Sequence, residues 1–135
     1  MATKIAEIEG VGPVYAEKLA SAGIKSVEAL LEAGASKSGR KKIAEDSGID
    51  ESKILKWVNH ADLFRIKGVG PEFAELLEAA GVDTVKELRN RNAANLHAKL
   101  EEVQAEKKLT RVVPALSKVE DFIAQAKTLP PVVTY

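Results

Sequence analysis

The sequence has no cysteine, which excludes disulfides and thiol chemistry and fits a reducing compartment. It has no apolar run approaching the roughly 20 residues of a membrane span. Its first residues, MATKIAEIEG, lack the apolar core of a secretory signal. Together these absences read as a cytosolic protein with no membrane partner. It also lacks an excess of either charge: 20 basic residues meet 20 acidic ones. A strongly basic chain would point to nucleic acid through counterion release. Here any anion binding must come from local patches or from backbone groups. Catalytic motifs are missing too. His60 and His97 stand alone, without neighbouring ligands at metal spacing. No phosphate loop of the Walker type and no dinucleotide fingerprint is present. The chain reads as a non-enzyme with no metal site.

What the sequence does contain is a repeat. IEGVGPVYAEKLASAG from Ile8 returns as IKGVGPEFAELLEAAG from Ile66. An ungapped alignment of Ile8–Leu30 with Ile66–Leu88 gives 12 identities in 23 positions. Identity of that density marks an internal duplication. At 135 residues the chain suffices for one compact domain or two very small ones. The boundary falls at 62/63: residues 1–62 form a first repeat and 63–127 a second, diverged one. No Gly- or Ser-rich linker separates them, so the halves are expected to pack as one compact helical unit.

The periodicity is helical throughout. A short helix near Lys4–Ile8 is broken by Gly10, Gly12 and Pro13. Pro13 suits the first turn of the next helix, where no N–H is required. Tyr15, Ala16, Leu19 and Ala20 give that helix an apolar stripe, and Gly23 can end it. Ser26 opens a short helix with Val27, Leu30 and Leu31. Asp50 can cap a longer one with Ile54, Trp57, Val58, Ala61 and Phe64 near one face. The second half repeats the plan. Pro71 starts a helix that Gly81 ends, Thr84 and Glu87 form a capping-box pattern, and a longer helix runs from about Asn92. Pro114 opens the last helix, with Leu116, Val119, Ile123 and Ala126. Residues 128–135 contain two prolines in sequence and cannot continue a helix. This tail is expected to lie extended against the body, with Tyr135 closing it down. Trp57, spaced with Ile54 and Ala61, reads as core rather than as a base-stacking platform, and so do Tyr15 and Phe73.

These residues carry a resemblance. Ile5, Ile8, Gly10, Val11, Gly12, Ala16 and Leu19, and again Leu63, Ile66, Gly68, Val69, Gly70, Ala74 and Leu77, resemble the helix-hairpin-helix motif. Each copy covers about 20 residues. The continuation through Gly48–Ile49–Asp50 resembles the helical domain at the N-terminus of recombinases of the Rad51 type, which pairs one strong hairpin with a weaker one. The matching last hairpin of the second half has no glycine and departs from that pattern. The two-copy arrangement with its LPPVVTY tail is also similar to a bacterial family of unknown function. The resemblance implies an all-α fold of two tandem helix-hairpin-helix repeats. It further implies that backbone N–H groups at Gly10, Val11 and Gly12, and at Gly68, Val69 and Gly70, meet a DNA phosphate. A monovalent cation held by turn carbonyls often accompanies that contact.

The physics of such a turn supports the idea. Two glycines permit a turn that no Cβ crowds, and the turn ends at a helix N-terminus, which favours an anion. Phosphate contact of this kind carries no base information. Local charge separates the copies. Lys18 assists the first turn, whereas the second has Lys67 but also Glu72, Glu75 and Glu78 on its helix. The most basic stretch, SKSGRKK with Lys37, Arg40, Lys41 and Lys42, reads as a loop leading into a helix and could add phosphate contacts. Two partner classes stay open: double-stranded DNA, bound without sequence preference, and a protein, bound by an adaptor that kept the fold alone. The oligomeric state is not legible.

Overall fold

The computed structural model describes residues 3–134. Among them the chain is all-helical, as expected, with eight α-helices and no strand. It divides into two compact units, Met1–Asp62 with Val132–Tyr135, and Leu63–Pro131. Tyr135, expected to close the tail, lies outside the described residues.

The first unit opens with a single 3-10 turn at Ile5–Glu7, followed by α1 (Pro13–Ser21), α2 (Val27–Gly34), α3 (Lys37–Ser47) and α4 (Glu51–Leu63). Pro13 takes the first position of α1 as its missing N–H dictates. Ser26 caps α2 by accepting the Ala29 N–H at 3.0 Å, and Ser36 caps α3 by accepting the Gly39 N–H at 3.1 Å. The SKSGRKK stretch is thus a helix start, helical from Lys37 onward, with the capping serine directly before it. The 3-10 turn packs on α1 and α2, and α3 packs on both of those helices. Their apolar stripes meet in a core of Ile8, Leu19, Leu30, Ile43, Ile54, Trp57 and Val58, all nearly inaccessible. The C-terminal half of α4 is buried on every face, Asn59, His60 and Asp62 included.

The second unit contains α5 (Pro71–Ala79), α6 (Val85–Leu88), α7 (Ala93–Lys107) and α8 (Leu116–Thr128). α7 packs on α5 and α8, and α6 on α8. Their core includes Leu77, Leu88, Leu96, Leu100, Val119, Phe122 and Ile123. Thr84 caps α6 by accepting the Glu87 N–H at 3.2 Å. The Glu87 carboxylate does not complete the capping box; it receives Arg91 Nη2 at 2.8 Å instead. The last helix starts at Leu116, two residues beyond Pro114, on an Ala115 cap.

The tail is extended. Thr134 donates its N–H to Ala35 O at 2.8 Å, and Val133 is buried. Arg40 fixes it, reaching Thr134 O at 2.6 Å through Nη2. Nη1 of the same guanidinium meets Gly34 O at 2.9 Å and Ala35 O at 3.0 Å.

Candidate nucleic-acid interface

Both glycine turns are built alike. Gly10 has φ +90° and Gly68 φ +100°, a region that side chains with a Cβ rarely adopt. In the first copy the Val11 N–H donates back to Ile8 O at 3.1 Å, and in the second the Val69 N–H donates to Ile66 O at 3.1 Å. Each of those carbonyls keeps a second lone pair that a monovalent cation could use. The helix then starts at once: Ala16 N–H meets Gly12 O, and Ala74 N–H meets Gly70 O, both at 2.9 Å. The first-turn amides of α1, at Val14 and Tyr15, have no carbonyl within the helix to bond.

This geometry corrects the expected contact set. Val11 and Val69 spend their N–H groups inside the turn and bury their side chains. Both residues shape the turn from within the fold. Arg40 is corrected too. It is 4% exposed, and its guanidinium is committed to backbone carbonyls. It is a structural clasp, not a surface cation. Lys37, Lys41 and Lys42 are exposed on α3. Lys42 stands 3.5 Å from Asp46, a surface pairing of little strength. Lys37 borders an open cleft of about 350 Å³ with Arg40, Glu51, Ser52 and Leu55.

Gly12 and Gly70 behave differently from their partners. Gly12 has φ −84° and Gly70 φ −104°, values open to any residue. A Cβ added at either would meet nothing within 4 Å. The fold does not require glycine there, yet both copies have it.

Around the first turn the side chains form one connected group. Trp57, on α4, lies beneath Gly10: a Cβ on that glycine would sit 3.6 Å from the indole nitrogen. Trp57 also meets Tyr15 edge-on, with ring centroids 5.1 Å apart. Over the Tyr15 ring stand two ammonium groups, Lys18 at 5.9 Å and Lys53 at 5.8 Å. Among the described residues neither of these is paired with a carboxylate. Lys53 was not legible in the sequence as a site residue. It is one exposed lysine on α4, placed here only by the docking of α4 against α1.

The second turn has the same backbone and different surroundings. Phe122 replaces Trp57 beneath it, 3.0 Å from where a Gly68 Cβ would fall, and Phe73 replaces Tyr15 at 6.3 Å from that ring. The position of Lys18 is taken by Leu76, fully buried. The peptide of Lys67 is occupied on both sides by Gln125, which accepts its N–H at 2.8 Å and donates to its carbonyl at 3.1 Å. The Lys67 side chain stays exposed. Glu72 sits in the first turn of α5, with Arg111 3.8 Å from its carboxylate. A resident carboxylate at that position competes with any incoming anion for the helix dipole. The first turn of α1 contains no acidic residue. Among the described residues no three histidines or carboxylates gather as metal ligands, and no helix is long and apolar enough to cross a membrane.

The molecule is thus of a definite class: an all-helical chain whose two units each begin a helix on a Gly–Val–Gly–Pro turn. It belongs to the family described as Domain of unknown function (DUF4332), which matches residues 9–129. No curated protein and no solved structure matches it.

Proposed function

We propose that this chain is a non-enzymatic module that binds double-stranded DNA without sequence preference, through a pair of helix-hairpin-helix repeats. The first turn is the principal contact. One observation carries the reading: Gly12 is glycine where the backbone and the surrounding space would accept any side chain. A Cβ there would project into the space before the N-terminus of α1. Its absence keeps the Gly12, Val14 and Tyr15 amides open to a phosphate. Gly70 shares this property, but Glu72 makes the second turn the weaker contact.

The test uses Gly12 because its substitution separates folding from binding. Gly12→Val should leave the thermal midpoint within a degree or two, since nothing is crowded and φ is negative. Fluorescence anisotropy of a labelled duplex should show it binding at least about threefold more weakly than the parent chain, a loss of about 0.7 kcal/mol or more. Equal affinity of the two would remove the turn from the interface. No binding by the parent chain at low salt would sink the DNA reading.

A second reading, a protein-interaction adaptor, is favoured by exposed apolar side chains at Val14 (66% accessible), Val112 (65%) and Leu116. In the second unit, Val112 and Leu116 are the exposed apolar residues that such a partner would cover. Failure of the DNA titration, together with recovery of one specific protein that Val112→Asp no longer captures, would favour it.

A further inference from the structure

The basic stretch on α3 was the expected source of charge beside the first turn, and its one arginine is locked inside the fold. We propose that Lys53 instead supplies that charge, acting with Lys18 as a phosphate clamp positioned by the Tyr15 ring. The inference rests on the DNA reading above and names the side chains that would serve it.

Three features converge on this pair. Both ammonium groups lie within 6 Å of the same ring centroid, where the electron-rich face of an aromatic ring holds a cation. The ring is held in turn by Trp57, which also lies against Gly10. The two lysines are therefore tied to the turn itself and not to a remote surface. Two like charges gathered on one ring repel each other. Among the described residues neither ammonium group forms an ion pair with a carboxylate. An anion placed between the pair and the open amides of α1 would neutralise both ammonium groups and meet the positive end of the helix.

The second unit provides an internal control. Lys118 holds in α8 the place that Lys53 holds in α4, the third residue of a 13-residue helix. Phe73 stands there in place of Tyr15, packed against Phe122, and Leu76, buried, stands where Lys18 would be. The pair exists only in the first unit, the one whose turn has no acidic residue.

The experiment titrates a labelled duplex with the full chain and its Lys53→Gln, Lys18→Gln, doubly substituted and Lys118→Gln variants, each at about 50 and 200 mM salt. Both lysines are exposed, so circular dichroism melts should coincide with the parent. Lys53→Gln should weaken binding about three- to tenfold at low salt and flatten the plot of log affinity against log salt by about 0.9, one phosphate contact. The double variant should lose less than the product of the single losses, because both groups serve one phosphate. Lys118→Gln should match the parent. If Lys53→Gln is indistinguishable from Lys118→Gln while Gly12→Val still weakens binding, the clamp is wrong and the turn reading survives. If the parent chain does not bind at all, both fall together.

Discussion

Lys108 answers a question that the sequence left open. The last hairpin of the second half has no glycine, yet its turn forms: Lys108 takes φ +50° and donates its N–H to Gln104 O at 2.9 Å. Gly48 does the same in the first unit, with φ +73° and its N–H 2.9 Å from Ala44 O. A lysine in the left-handed region is strained by its own Cβ. Lys108→Gly should therefore stabilise the chain by about 0.5–1 kcal/mol, read as a higher urea midpoint with an unchanged slope. Asp83 makes a pH-dependent case. Desolvation by burial raises its carboxyl above the ordinary 3.8, with the nearby Glu87 adding to the effect against its own backbone hydrogen bond. The folded state thus holds this proton more tightly than the unfolded state. Stability falls as pH rises from 3.8 through the raised value, and the penalty persists above it. Asp83→Asn should raise the thermal midpoint at pH 7, and the gain should vanish below pH 3.8. Glu28 has the opposite sign: hydrogen bonds from its own backbone N–H and from Thr3 hold its carboxyl below the ordinary 4.5. That contribution is present above pH 4.5 and is lost as acid protonates the folded state.

At the level of elements, helices came readily from the sequence and their contacts did not. Pro13, Ser26, Pro71 and Thr84 announced helix starts because capping and proline chemistry are local. The same locality explains the misreadings. Arg40 sits among lysines and looked like one more surface cation. Its partners are the end of α2 and Thr134, the latter 94 positions away along the chain, and no short-range pattern reports a contact so distant. Lys53 shows the converse: nothing in the sequence marks it, and only the packing of α4 on α1 brings it over the Tyr15 ring. Asn59, His60 and Asp62 were equally silent, since a one-faced stripe does not reveal a helix buried all round. The clasp reading of Arg40 is open to test. Arg40→Ala should destabilise the first unit by about 2–3 kcal/mol, because buried carbonyls lose a charged donor. The salt dependence of duplex binding by the remaining folded protein should not change. A flatter salt dependence with unchanged stability would return Arg40 to the interface.

For the whole chain, equal numbers of acidic and basic residues mean that no long-range field draws in a polyanion. Affinity on the proposed reading comes from a few contacts at one turn, so it should be modest and shallow in salt compared with that of a basic protein. The arrangement of the chain has a further consequence during synthesis. The first unit is made of two pieces of sequence, its body and the strap at Val132–Tyr135, with the whole second unit encoded between them. On the ribosome, Ala35 O and the Arg40 guanidinium must therefore wait for their Thr134 partner while the intervening residues are translated, several seconds at about 5–20 residues per second. The unit that is made first is the last to be finished. A nascent chain stalled before Val132 would present a first unit with its clasp open.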